Sequence, residues 1–135
     1  MFNDETMGDA TGAIFKTTNS GRSWEEVFKG INYGDYSIFS SGPEMIFANE
    51  NVGFITMPDR MGEVCDLFIT RDGRYTLEKL NLATDPKLDY YLLPTIENGI
   101  INIKITIGYA EDDSRYITVE NFVSKNNGET FEKVL

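Results

Sequence analysis

The sequence predicts an all-β protein built from repeated units of four short antiparallel strands. An eight-residue motif occurs at residues 17–24 (TTNSGRSW) and again at residues 124–131 (SKNNGETF), with a weaker copy midway between them. Several segments alternate apolar and polar residues with the period of two that strands have, and no segment has the apolar spacing of a helix. A nearly fixed period of about 50 residues is typical of a repeat architecture.

The motif has a hydroxyl residue in first place, Asn or Asp in third, Gly in fifth, a second hydroxyl residue in seventh and an aromatic residue in eighth. The first copy has these residues at Thr17, Asn19, Gly21, Ser23 and Trp24, and the last copy at Ser124, Asn126, Gly128, Thr130 and Phe131. The middle copy, residues 70–77, has Thr70, Asp72 and Thr76, but its Gly73 comes one place early and Leu77 replaces the aromatic residue. The third place thus recurs after 53 and then 54 residues.

These residue types favour a tight turn that needs no ligand. The side chain of Asn19 or Asn126 can accept hydrogen bonds from backbone amides a few residues on, and Gly21 or Gly128 supplies the positive φ that other residues resist. We expect the aromatic ring in eighth place, Trp24 in the first copy, to be buried under the turn. The motif is therefore interpreted as a structural staple and not as a binding site.

The predicted strands follow a common order around each copy. Residues 2–8 resemble residues 47–53, with residues 93–99 as a looser third version, so an acidic turn precedes each motif at a variable distance. The surest strand is residues 101–107, in which four isoleucines alternate with Asn, Lys and Thr. The other strands and turns are predicted at 54–57 (strand), 58–63 (turn), 64–70 (strand), 108–114 (turn) and 115–123 (strand), with breaks between units at 40–43 and 84–86. Four antiparallel strands per unit is the composition of a propeller blade.

The two intact motifs resemble the Asp-box, or bacterial neuraminidase repeat, of sialidases, oligoxyloglucan-cleaving glycosidases, sortilin-type receptors and photosystem assembly factors. In that family the box is the turn between the third and fourth strands of a propeller blade. The resemblance implies about two and a half to three blades, at residues 1–30, 44–82 and 90–135, with the first blade clipped within or just after its expected first strand. Both intact copies have Asn where the family favours Asp, a change that keeps the acceptor and removes the charge.

A closed propeller needs about four to eight blades, more than 135 residues provide at this period. We therefore expect the C-terminal part of a longer propeller or, alternatively, a protomer that closes a ring with a second copy of itself. The terminal blades are expected to expose apolar rows that neighbouring blades would cover, including part of the isoleucine face of residues 101–107 or its counterpart. The predicted partners are the rest of the propeller or a second copy, and a carbohydrate or protein ligand is left open.

The resemblance also suggests two hydrolytic chemistries: a complete sialidase site cannot be assembled from these residues, and a xyloglucan-type site cannot be placed on particular ones. A sialidase holds the substrate carboxylate with an arginine cluster, and the family has an Arg-Ile-Pro motif before the first box. That motif is absent here, and the arginines are Arg22, Arg60, Arg71, Arg74 and Arg115. Xyloglucan-type hydrolysis needs two aspartates across a cleft, and no spacing selects a pair among Asp35, Asp59, Asp66, Asp85 and Asp89.

Two further groups of residues have the chemistry of binding sites. The acidic run Glu111, Asp112 and Asp113 could hold calcium, but it lacks the ligand spacing of a calcium loop and is interpreted as a solvated hairpin tip. Five tyrosines could form a carbohydrate-stacking platform, although scattered tyrosines in a β protein more often pack half-buried; they are Tyr33, Tyr36, Tyr90, Tyr91 and Tyr109. No catalytic, cofactor-binding or metal-binding residue is therefore assigned.

Composition disfavours several function classes. The chain has 12 basic and 22 acidic residues and a net charge of −10, which disfavours nucleic-acid binding. It has no histidine, which excludes His-based triads and most zinc sites. Its single cysteine, Cys65, cannot form an intramolecular disulfide and is predicted to be a small buried residue of a strand. No apolar run approaches the ~20 residues of a membrane span, and the acidic start is unlike a signal peptide.

We expect a non-catalytic Asp-box propeller segment that serves binding or scaffolding in a larger exported or surface protein. The alternative is a segment of a sialidase-like or xyloglucanase-like glycoside hydrolase. Family resemblance favours an extracellular or cell-surface location, and activity within the family is too varied to choose a ligand.

Overall fold

The computed structural model describes residues 4–6, 9–11, 14–28, 44–59, 63–108 and 119–135. All regular secondary structure in these segments is β-strand, which confirms the all-β prediction. The strands are β1 (Asp4–Thr6), β2 (Asp9–Thr11), β3 (Ile14–Lys16), β4 (Glu25–Val27), β5 (Glu44–Phe47), β6 (Gly53–Pro58), β7 (Cys65–Thr70), β8 (Glu78–Lys79), β9 (Tyr90–Tyr91), β10 (Thr95–Glu97), β11 (Ile100–Thr106), β12 (Val119–Ser124) and β13 (Glu132–Val134).

The described strands fall into three successive units. Unit 1 consists of two antiparallel hairpins, β1–β2 and β3–β4. Unit 2 is the antiparallel meander β5–β6–β7–β8. In unit 3, β11 pairs with β9, β10 and β12, and β12 pairs with β13. Units 2 and 3 share one sheet of nine strands, because β7 and β9 meet in a parallel contact between Cys65 and Tyr90.

The first strand of unit 1 corrects a sequence-based expectation. Residues 4–6, which the comparison of acidic segments placed in a turn of a clipped blade, form β1 and pair with β2 in the register Asp4↔Thr11 to Thr6↔Asp9. Unit 1 therefore has four strands. Two residues lie between the two strands in the sequence, a spacing at which short hairpins form.

The first strand of unit 3 is split, which the sequence did not predict. β9 pairs with the end of β11 and β10 with its start. Pro94, which is buried, lies between the two pieces. Proline has no N–H to donate to the ladder, so the pairing is interrupted there and resumes on either side.

The sheet of unit 2 has both faces buried. One face, with Ile55 and Met57, packs in a cluster with unit 1. The other face, with Phe54 and Ile69, packs in a larger cluster with unit 3. Every residue of β6 is buried as a result. The alternation along β6 thus divides its side chains between two neighbouring units.

The isoleucine strand forms as predicted but its apolar face is covered. Ile101, Ile103 and Ile105 on β11 have 0% exposure and pack against unit 2. The other face of β11 carries exposed Asn102 and Lys104. The row at Ile101, Ile103 and Ile105 is therefore not an open one, because the strand turns it toward the preceding unit. The alternative, that the counterpart of this face is open, stays a prediction.

Candidate functional site

The box turn at residues 124–131, box 3, is closed by bonds among its own residues. Ser124 Oγ accepts from Gly128 N at 2.8 Å and donates to Asn126 Oδ1 at 2.9 Å. The same Oδ1 accepts from Thr130 N at 3.0 Å, and Asn126 Nδ2 donates to Thr130 Oγ1 at 2.7 Å. The side chains in first, third and seventh place are thereby bonded to one another and to the turn backbone.

Box 1, residues 17–24, has the same four bonds. Thr17 Oγ1 accepts from Gly21 N at 2.9 Å and donates to Asn19 Oδ1 at 3.0 Å. Asn19 Oδ1 accepts from Ser23 N at 2.9 Å, and Asn19 Nδ2 donates to Ser23 Oγ at 2.7 Å. Two segments more than 100 residues apart in the sequence therefore fold into one turn structure.

Box 2, residues 70–77, reproduces the network around a carboxylate. Thr70 Oγ1 accepts from Gly73 N at 2.9 Å and donates to Asp72 Oδ1 at 3.0 Å. Asp72 accepts at Oδ1 from three successive amides, at 3.1 to 3.3 Å, and at Oδ2 from Thr76 Oγ1 at 2.9 Å. Desolvation raises the pKa of Asp72, but the hydrogen bonds outweigh it and hold the pKa well below its ordinary value.

The glycine that comes one place early in box 2 has a backbone explanation. Boxes 1 and 3 each have two consecutive left-handed residues, Ser20 (φ 59°) with Gly21 (φ 88°) and Asn127 (φ 59°) with Gly128 (φ 81°). Box 2 has a single one, Gly73 at φ 66°. The first-place hydroxyl accepts from the fourth-place amide in box 2 and from the fifth-place amide in boxes 1 and 3, and in each box that amide belongs to the glycine. The third and seventh places keep their roles.

The residue in eighth place faces the unit that precedes its own. Phe131 packs edge-to-face on Phe54 of unit 2, with ring centroids 6.4 Å apart, and Leu77 packs in the cluster that unit 2 shares with unit 1. Trp24 in box 1 is instead 58% exposed, which corrects the expectation that its ring is buried. The box alone does not bury this ring, since Phe131 and Leu77 are covered by a neighbouring unit.

A basic side chain of each preceding unit bonds to the glycine carbonyl of the next box. Arg71 Nη2 donates to the Gly128 carbonyl at 2.9 Å, and Lys16 Nζ donates to the Gly73 carbonyl at 3.3 Å. Both bonds span 57 residues. Gly73 and Gly128 are buried, whereas Gly21 is exposed.

The described arginines of box 2 are used in structural contacts. Arg71 forms an ion pair with Glu78 at 2.5 Å in addition to its bond to box 3. Arg74 forms an ion pair with Glu25 of unit 1, and its carbonyl accepts from Phe28 N at 2.8 Å. Arg60 and Arg115 lie outside the described residues. Arg22, the remaining described arginine, is exposed in box 1.

A set of polar contacts around Glu120, which we call the Glu120 lock, connects unit 3 to the linker that precedes it. Glu120, 8% exposed, accepts from Thr84 N at 2.8 Å, from Thr84 Oγ1 and from Lys133 Nζ at 2.8 Å. Lys133 Nζ also donates to Thr84 Oγ1 at 3.0 Å. The bonds from Lys133 and Thr84 lower the pKa of Glu120 to about 2. Sequence patterns missed this lock because its three members are 36 or more residues apart, or on different strands.

Three of the aspartates considered for hydrolysis line one cleft. Asp66, Asp85 and Asp89 lie with Tyr91 around a cavity of about 290 Å³. Each carboxylate is already engaged. Asp66 lies 3.5 Å from Lys79 Nζ, Asp85 Oδ1 accepts from an amide at 2.9 Å, and Asp89 Oδ1 accepts from Gly108 N at 2.9 Å. Asp35 lies outside the described residues, and Asp59 Oδ1 caps a turn at 2.9 Å from Glu63 N.

The remaining sequence candidates do not form a site in the described chain. Tyr91 is buried, and its hydroxyl accepts from Leu82 N and Ala83 N at 2.8 and 3.2 Å. Tyr90 is half-buried. Cys65 is buried, as predicted, and burial with the nearby Asp66 charge raises the pKa of its thiol to about 12. Other candidates lie outside the described residues; they are Tyr33, Tyr36, Tyr109, Glu111, Asp112 and Asp113.

The described residues contain no group of three or more Cys, Asp or Glu side chains placed to hold a metal ion. They likewise contain no helix long and apolar enough to cross a membrane. No protein-family model, curated protein or solved structure matches the chain.

Proposed function

We propose that the chain is a non-catalytic scaffold made of Asp-box propeller blades, with each of the three units corresponding to one blade. The observation that carries the proposal is the hydrogen-bond network common to the three boxes. In every unit it joins the third strand to the fourth, at β3–β4, β7–β8 and β12–β13. That is the position the box has in the family that the sequence resembles.

A scaffolding role also agrees with how the polar groups are used. The Asn and Asp side chains of the boxes bond to their own turns. Arg71 joins box 2 to box 3, and Lys16 on β3 joins unit 1 to box 2. These bonds stabilise the fold, and groups that reacted with or bound a substrate would have to leave them. The function is therefore the stacking of blades that present loops to a protein or carbohydrate partner.

The aspartate cleft supports a second candidate, a glycoside hydrolase of the type that uses two aspartates across a cleft. Asp85 and Asp89 line the cavity near Tyr91, and a concave site with an aromatic side chain and a few polar groups is the usual form of a ligand pocket. A backbone amide donates to each of these two carboxylates, from Lys87 N to Asp85 Oδ1 and from Gly108 N to Asp89 Oδ1.

Hydrolysis assays distinguish the two candidates. The full chain is incubated with fluorogenic sialosides and with xyloglucan oligosaccharides, beside Asp85→Asn, Asp89→Asn and the exposed-surface control Glu97→Gln. We expect no turnover by any of them. Turnover by the parent and by Glu97→Gln that is lost in Asp85→Asn or Asp89→Asn would contradict the scaffold function and favour the hydrolase.

A further inference from the structure

A cavity of about 360 Å³ lies between unit 1 and unit 2. Its wall is mostly apolar and includes the side chains of Ile14, Val27, Phe28, Met45 and Phe47. Lys16, the last residue of β3, is the only basic residue among the described ones that line it. The cavity thus combines an apolar wall with one basic side chain.

The wall on the side of unit 1 follows from the register of its second hairpin. Ile14 pairs with Val27, and both pack in the cluster that unit 1 shares with unit 2. Lys16 comes two residues after Ile14 on β3, so its side chain leaves the same face of the hairpin. The lysine is therefore directed to the cavity by the strand on which it lies.

The wall on the side of unit 2 depends on a glycine. Phe47 pairs with Gly53, and a Cβ at Gly53 would lie 2.5 Å from the Phe47 ring. The glycine therefore allows the ring to lie against the sheet. A larger residue there would push the ring off the sheet, toward the space that the cavity occupies.

The ammonium group of Lys16 is only partly used by the fold. Its Nζ donates to the Glu50 carbonyl at 2.7 Å and to the Gly73 carbonyl at 3.3 Å, and it lies 5.8 Å from the centre of the Phe47 ring. An ammonium has three N–H donors, so a third N–H can donate to a ligand while both bonds are kept.

The positive charge of Lys16 has no ion-pair partner among the described residues. Glu25, which is opposite Lys16 in the register, forms its ion pair with Arg74 instead. Glu50 contributes its carbonyl to Lys16, and its side chain is exposed. Carbonyl groups are neutral acceptors, so the charge beside the apolar wall suits an anionic group.

Packing between units does not require a lysine at this place. Lys16 directly precedes box 1, and Ile69 directly precedes box 2. At the junction of units 2 and 3, Ile69 lies against box 3, where a Cβ on Gly128 would stand 2.9 Å from Ile69 Cδ1. An apolar side chain is thus sufficient for stacking at the equivalent place.

We propose that the cavity between units 1 and 2 binds a small aromatic carboxylate, with its ring against the apolar wall and its carboxylate accepting from Lys16 Nζ. An apolar cavity of about 150 Å³ accepts benzene, so this larger one has room for a ring with a short chain. A sugar would need partners for its hydroxyl groups, which an apolar wall does not provide. The site goes beyond the scaffold function and does not depend on it.

NMR titration of the full chain with two matched probes tests the proposal. The probes are 4-phenylbutyrate and the uncharged 4-phenylbutyramide, which has the same ring and chain. Both should shift the amide signals of Val27, Phe47 and Gly73, which line the cavity, and the carboxylate should bind about tenfold more tightly. Lys16→Met should reduce that preference to less than about twofold, whereas Lys87→Met, at an exposed lysine, should keep it.

A second variant tests the cavity without changing Lys16, because Lys16→Met also removes two bonds between the units. Met45→Trp, at a side chain 42% exposed, fills the cavity from its edge and should weaken both probes about tenfold or more. Thermal melts verify that each variant is folded.

Four results would overturn the proposal: a parent that binds neither probe, equal affinity of the parent for the two probes, binding that shifts none of the three amides, or a folded Met45→Trp that binds both probes like the parent. A folded Lys16→Met that keeps the preference for the carboxylate would contradict the role of the lysine. Each of these results leaves the scaffold function in place. Turnover that depends on Asp85 or Asp89 would contradict the scaffold function and leave this site in place.

Discussion

Arg71 Nη2 lies 2.9 Å from the carbonyl oxygen of Gly128, and this bond joins box 2 to box 3 across 57 residues of sequence. Lys16, the last residue of β3 in unit 1, donates to the Gly73 carbonyl at 3.3 Å, so the glycine carbonyls of boxes 2 and 3 are each bonded to a side chain of the preceding unit. The turn that closes one unit is thereby also a contact point for the unit before it. Stability within a unit and stacking between units depend on the same few atoms.

Replacing Arg71 should therefore weaken the junction more than replacing its ion-pair partner. Arg71→Met leaves the buried Gly128 carbonyl without this donor, a loss of roughly 1 kcal/mol in the free energy of unfolding. Glu78→Gln removes only an exposed ion pair and should change it by less than about 0.5 kcal/mol. Urea denaturation of both variants measures the difference. Equal losses would mean that the bond to Gly128 adds nothing.

The central residue of the box should tolerate Asp but not Ala. Asn126→Ala removes the acceptor for Thr130 N and the partner of two hydroxyls, at an expected cost of about 1–2 kcal/mol. Asn126→Asp keeps the acceptor, as Asp72 does in box 2, and should stay within about 0.5 kcal/mol of the parent. Thermal melts of the two variants provide the comparison. An Asp variant as unstable as the Ala variant would contradict the shared network.

Substitutions at two glycines distinguish the cost of backbone strain from the cost of a close contact. Gly73 (φ +66°) and Gly99 (φ +77°) are both left-handed, but a Cβ on Gly73 would stand 2.2 Å from the Glu50 carbonyl oxygen, and one on Gly99 would meet nothing within 4 Å. Gly99→Ala should cost about 1–2 kcal/mol of strain alone. Gly73→Ala should cost more, because backbone must move. Chemical denaturation showing equal costs would mean that the contact at box 2 is looser than described.

The Glu120 lock should make stability depend on acid pH. The folded-state pKa of Glu120, about 2, is below its ordinary value of 4.5, so its stabilising contribution is complete above about pH 4.5 and is lost as the pH falls toward 2. The parent and Glu120→Gln should therefore differ most at neutral pH and converge near pH 2. Glu129→Gln, at an exposed site, should follow the parent throughout. A difference in unfolding free energy between Glu120→Gln and the parent that does not change with pH would contradict the Glu120 lock.

Local features of the structure could be predicted from the sequence, and features that depend on neighbouring units could not. The turn of box 3 and the strand Ile100–Thr106 follow from residues adjacent in the chain. The exposure of Trp24 depends on whether a neighbouring unit covers its ring, and the residues of the box do not determine this. The cleft around Asp85 and the contact of Arg71 with Gly128 need the register of strands far apart in the sequence. Pro94 can be read from the sequence, but the interruption that it causes between β9 and β10 can be recognised only when both are known to pair with β11.

The most direct measurement of the shared box is amide hydrogen exchange at the seventh place. Ser23, Thr76 and Thr130 are exposed residues whose amides donate to the third-place oxygen at 2.9, 3.3 and 3.0 Å. We predict slowed exchange at all three in the parent, and loss of protection at Thr130 alone in Asn126→Ala. Exchange at the rate of an unstructured chain at these amides, or protection of Thr130 that survives Asn126→Ala, would contradict the assignment of the three turns as one repeated box.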